Sequence, residues 1–164
     1  MTVTMVKVDK DAAGRTMTVT AHFDAPVERV WQVWEDPRQL ERWWGPPTYP
    51  ATVVDHDLSP GGAVGYFMTG PEGDKHHGWW RIVAVDAPHR LEFEDGFADD
   101  AGKPSDQMPT TVVTVTLTGD DAGTGTTMVI RSAFPSEQAM EQLLAMGMEE
   151  GITLAIGQID PLLT

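Results

Sequence analysis

The sequence predicts an α+β fold: a curved antiparallel sheet of about six or seven strands wrapped around a long C-terminal helix, with two short helices after the first strand. Three observations predict it. An alternating run of β-branched residues leads into two short amphipathic segments, the middle of the chain has the grammar of an antiparallel meander, and the final stretch carries apolar residues at helical spacing. A sheet with one apolar face must bury that face, and the final helix is the only long amphipathic element available to cover it.

Taken in order, residues 1–15 are weakly patterned, a lead-in that adds at most an edge strand, and 16–164 form one domain. Thr16 to Phe23 alternates at period two, which argues for a strand. Asp24 is placed to cap a helix that Pro26 enters near its first turn, with Val27, Val30, Trp31 and Trp34 on its apolar side. Asp36-Pro37 opens a second short helix carrying Leu40, Trp43 and Trp44, and Gly45-Pro46-Pro47 stops it. Strands follow at Ala51–Asp55, Val64–Met68, His77–Val85 and Leu91–Glu94, separated by turns rich in Gly, Pro and Asp. Ala98 to Pro109 has no periodicity and reads as a long loop of the kind that covers sites. Thr110–Thr118 and Thr124–Ala133 then form a hairpin around Gly119–Gly123.

The last element is expected to be a single helix from Ser136, its cap, to Leu163. Gly147, Gly151 and Gly157 lie inside it, each costing about 1 kcal/mol relative to alanine. Gly147 and Gly151 share one face, where the missing side chains serve either close packing or open space beside the sheet.

Composition narrows the function. Eleven Lys and Arg against 25 Asp and Glu give a net charge of −14, which repels phosphate backbones and anionic membranes. The absence of cysteine excludes disulfides, thiol nucleophiles and thiolate metal sites. With no apolar run of membrane-spanning length and no export signal at the N-terminus, a cytoplasmic protein is expected. No cofactor is expected either. Asp55-His56-Asp57 and His76-His77 gather ligand types, but neighbours along a strand point to opposite faces and do not chelate together. The glycines of Pro60–Gly65 lack dinucleotide-binding spacing, and no serine sits in a nucleophile elbow.

The residues also carry a resemblance. Phe23-Asp24-Ala25-Pro26, Val30-Trp31, Asp36-Pro37, Leu40 and Trp43-Trp44-Gly45-Pro46 resemble the opening of the SRPBCC (START/Bet v 1-like) superfamily, and within it the group related to the activator of Hsp90 ATPase. Pro60-Gly61-Gly62, Gly78-Trp79-Trp80, Asp86 to Phe93, Gly147 to Gly151, Gln158-Ile159-Asp160 and Leu162-Leu163 continue it in order. The resemblance implies a helix-grip fold enclosing a mostly apolar cavity. An Hsp90 role is disfavoured, because the chain lacks the N-terminal domain that carries much of the chaperone contact in the eukaryotic protein.

If such a cavity exists, period two selects its lining. Val64, Tyr66 and Met68 share a face; so do His77, Trp79, Arg81, Val83 and Val85; so do Leu91, Phe93, Asp95 and Phe97. The hairpin adds Val113, Val115, Met128, Ile130 and Phe134, and the closing helix Leu144, Met148 and Ile152. Aromatic and methionine side chains with a few polar members suit a small apolar or aromatic ligand. An ordinary filled core would have the same composition. His77, Asp95 and Arg81 form the polar trio. They suit a cofactor-independent cyclase, dehydratase or isomerase, with His77 and Asp95 moving protons and Arg81 orienting the substrate, or equally a structural ion pair at the rim. A surface-acting stress or chaperone partner is the third class, and an edge strand or the helices near Trp43 would serve a homodimer.

Overall fold

The structure, a computed structural model, describes residues 6–163; residues 1–5 of the lead-in and Thr164 lie outside it. Strands β1 (Val6–Asp11) and β2 (Thr16–Phe23) are followed by helices α1 (Val27–Glu35) and α2 (Pro37–Trp44). The meander comprises β3 (Ala51–His56), β4 (Ala63–Thr69), β5 (Lys75–Asp86), β6 (Arg90–Phe97), β7 (Thr111–Gly119) and β8 (Thr126–Ala133). Helices α3 (Glu137–Ala145) and α4 (Met148–Ile156) and a 3-10 turn, Asp160–Leu162, close the chain. All eight strands join one antiparallel sheet in the order β1-β2-β8-β7-β6-β5-β4-β3. This exceeds the expected six or seven because the lead-in forms a full edge strand, Val6 to Asp11 pairing with Ala21 to Thr16. The sheet encloses the apolar residues of β2, β8, β7 and β6 against α1, α2 and the C-terminal helices. No helix among the described residues is long and apolar enough to cross a membrane.

Local chemistry explains the short helices. Asp36 caps α2, accepting from the Arg38 amide at 2.9 Å with Pro37 in the first turn. Asp24 does not cap α1; Pro26 occupies the cap position without a side-chain hydrogen bond. Gln158 ties the end of α4 to the end of α2, donating to the carbonyls of Gly45 at 2.7 Å and Trp43 at 3.2 Å.

The expected single C-terminal helix is two. Ser136 caps α3 as expected, accepting from the Ala139 amide at 3.0 Å. The helix then stops at Met146, and Gly147 adopts φ 89° before α4 begins. That left-handed conformation is open to glycine at little cost and breaks the hydrogen-bond ladder. Gly151, inside α4, has a different role: a Cβ built there meets nothing within 4 Å.

Candidate functional site

The concave side of the sheet divides into a packed half and an open half. In the packed half, Trp34, Trp43 and Trp80 are fully buried. Trp80 stacks on Phe93 at 4.1 Å between ring centroids, and Trp34 meets Trp43 edge to face at 4.8 Å. In the open half lies a cavity of about 320 Å³. Its floor is β2, β7 and β8, through Met17, Val19, Val113 and Ile130, and its roof is α3 and α4, through Leu143, Met148, Gly151 and Ile152. The partly exposed residues Phe97 and Met146 mark its mouth, where Pro109 from the 98–109 loop also lines it. Met108 of that loop packs against the core and receives a hydrogen bond from Gln142 of α3 at 3.8 Å, which ties the C-terminal end of the loop to α3.

Besides His76 and His77 on β5, two polar features interrupt the apolar lining. One is Asp95, placed by β6 opposite Trp80 of β5 and Thr111 of β7. Tyr66 donates its hydroxyl to Asp95 Oδ1 at 3.5 Å, a long and weak bond. Burial pushes the Asp95 carboxyl up to about 7, against the lowering effects of Tyr66 and the Gly96 amide. Burial, and then the charge of Asp95, raise Tyr66 well above the usual phenol range. The indole N–H groups of Trp44 and Trp80 lie near the Tyr66 oxygen, but neither completes a hydrogen bond. The second feature is a pair of hydroxyls, Ser132 and Thr111, which are 3% and 4% exposed and line the cavity.

Among the residues singled out by sequence, Tyr66, Met68, His77, Asp95, Phe97, Met148 and Ile152 line this cavity. Phe93, Met128 and Phe134 point inward but belong to the packed core. Leu144 packs half-buried against that core without reaching the cavity. Trp79 and Arg81, expected in the lining, sit instead on the convex face, alternating with the inward-facing Gly78, Trp80 and Ile82. Arg81 pairs with Glu94 at 3.2 Å on the outside of the sheet, and Trp79 lies over Gly96 with its indole N–H bonded to the Phe97 carbonyl at 2.9 Å. A bulge between Ile82 and Ala84 shifts the parity of β5. Val85, Ile82, Trp80 and Gly78 therefore face the concave side, and counting back from Val85 in steps of two selects the wrong set. His77 shares the outer parity, its ring 5.5 Å from Phe67, and reaches only the rim of the cavity. The polar trio is thus not assembled. Arg81 is on the opposite face from Asp95, and no ion pair joins either His76 or His77 to Asp95.

Several lining residues escaped sequence reasoning. Ser132 and Thr111 lie on the inward parity of Met128/Ile130 and Val113/Val115, so the signal was a small hydroxyl on an otherwise apolar face. Trp44 was recognisable only as part of the apolar side of α2. Its approach to Tyr66, 6.1 Å between centroids, depends on how α2 folds over the sheet.

An eight-stranded antiparallel sheet gripping C-terminal helices around an internal cavity defines the helix-grip class of α+β proteins. The family model described as "Activator of Hsp90 ATPase homolog 1-like protein" matches residues 24–164, and the chain belongs to that family, within the SRPBCC superfamily. Among solved structures, protein Ms6760 from Mycobacterium smegmatis is 51% identical, with 98% of each chain covered and a TM-score of 0.89. A protein from Arthrobacter aurescens is also 51% identical, covering 96% of this chain and 90% of that one, with a TM-score of 0.91. A Staphylococcus epidermidis protein, at 27% identity over 96% and 93% of the two chains, has a TM-score of 0.81. No curated protein matches the chain.

Proposed function

We propose that this protein binds one small molecule with a mainly apolar or aromatic body in the cavity between the sheet and α3/α4. The observation that carries this reading is Gly151. A helix-interior glycine costs about 1 kcal/mol relative to alanine, yet nothing occupies the space where its side chain would project. Together with the roughly 320 Å³ volume, at the lower end of ligand-site sizes, this favours a site over an incompletely packed core. The test is native mass spectrometry of freshly purified protein followed by denaturing extraction. A reproducible added mass of small-molecule size is expected. A bare chain that no member of an apolar and aromatic ligand panel stabilises would contradict the reading.

A second reading, cofactor-independent acid–base catalysis, draws on the placement of Asp95, a carboxyl that lines the cavity beside the Tyr66 hydroxyl and that burial raises to about 7, where it is suited to exchange protons near neutral pH. In this reading Asp95 moves the proton and Tyr66 holds it in place, while Arg81 has no part. Asp95→Asn would abolish turnover even at substrate concentrations that saturate the variant.

A further inference from the structure

Asp95 is a cavity carboxyl without a cation. The titratable groups that line the cavity with it are Tyr66 on β4 and His76 and His77 on β5; no Lys, Arg or second carboxylate is among the lining residues. His76 is engaged at 2.5 Å by Asp74 outside the cavity, and His77 lies against Phe67. Arg81, which the alternation of β5 was expected to bring beside Asp95, pairs with Glu94 on the other face of the sheet. Among the described side chains, Tyr66 alone bonds to Asp95, and weakly. Three aromatic rings line the cavity as well: Trp44, whose indole N–H lies unpartnered near the Tyr66 oxygen, Tyr66 itself, and Phe97 at the mouth, two residues along β6 from Asp95.

These features discriminate between ligand chemistries. A carboxylate or phosphate ligand would meet a carboxyl and no cation. A neutral apolar ligand would cover the part-exposed Asp95 and leave it poorly paired, which is costly for a polar group. A protonated amine satisfies both elements at once, because an opposite charge favours the ionised carboxylate and aromatic faces attract cations. The chain's net charge of −14 favours encounter with such a molecule.

We infer that the ligand is an amphiphilic amine, its ammonium seated on Asp95 beside Trp44, Tyr66 and Phe97 and its apolar body lying under Gly151. This rests on the cavity being a binding site. The test is calorimetric titration of the full chain at about pH 8, where a simple alkylamine is still cationic, with naphthylmethylamine, naphthylmethanol and naphthoic acid. The amine should bind roughly tenfold or more tighter than the alcohol, with the acid weakest. Asp95→Asn should bring the amine down to the level of the alcohol without weakening the alcohol. Equal binding of amine and alcohol to the native protein, tightest binding of the acid, or an amine preference that survives in Asp95→Asn would overturn the inference and leave the cavity reading standing. Binding of none of the three would overturn both. The ranking on the native protein decides the question even if the Asn variant does not fold.

Discussion

The two halves of the concave face are built from the same strands and obey the same alternation, yet one is solid and the other hollow. Under α1 and α2, indole and phenyl rings meet one another at centroid distances of 4.1 to 6.5 Å and fill the space. Under α3 and α4, the facing positions are methionine, valine and isoleucine below and glycine above, and about 320 Å³ is left open. Being inward-facing therefore does not make a residue core; what stands opposite it decides. Size complementarity between sheet and helix separates the half that holds the fold together from the half that is free to hold something else.

The largest effect that sharpens this contrast is loss of a ring from the packed half. Trp80→Ala or Trp34→Ala should destabilise the protein by about 3–5 kcal/mol, read from denaturant unfolding, because both side chains are fully buried. Ile152→Ala, on the half-buried cavity roof, should cost distinctly less.

Next in size is the pH dependence of the hollow half. Asp95 has its folded value raised to about 7 from an ordinary value of 3.8, so the folded state holds the proton more tightly than the unfolded chain does. Its stabilising contribution is complete below about pH 4 and is lost as pH rises to about 7, with a slope approaching 1.4 kcal/mol per pH unit for this one group. Comparing native protein with Asp95→Asn across that window isolates the effect, and the difference between their stabilities should level off above it. Parallel profiles for the two proteins would place Asp95 in a wetter setting than the geometry gives it.

Gly151→Leu breaks the contrast by filling the hollow half. Since nothing lies within 4 Å of the projected Cβ, stability should hold or rise by roughly 0.5–1 kcal/mol while ligand affinity falls tenfold or more. The smallest effect belongs to the convex face. Arg81→Ala removes an exposed pair with Glu94, so stability should change by less than about 1 kcal/mol and ligand affinity should not change at all.

Much of the fold was legible because its signals are local. Period-two alternation marked β2, β7 and β8, Asp36-Pro37 marked the start of α2, and Ser136 marked the start of α3. The break at Gly147 was not legible, since a glycine within an apolar helical stripe has the same appearance whether it continues the helix or turns left-handed. The bulge after Ile82 was equally silent, and it alone moved Trp79 and Arg81 to the wrong face and hid Trp80. Tyr66 and Asp95 were found by parity, but the absence of a cation beside Asp95 depends on which face Arg81 takes. The void itself is not written in any one strand. Its one trace in the sequence is Gly151, and only the position of α4 over the sheet distinguishes open space from close packing there.

The most direct test of the hollow half is a methyl NMR titration with naphthylmethanol, following methionine and isoleucine signals together. Met17, Met68, Met148, Ile130 and Ile152 line the cavity and should shift in a saturable way, while Met128, Met140, Ile82 and Ile156, buried in the packed core, should stay in place. Shifts spread evenly over both sets, or none in the first set at saturating ligand, would contradict the division of this fold into a packed half and a binding half.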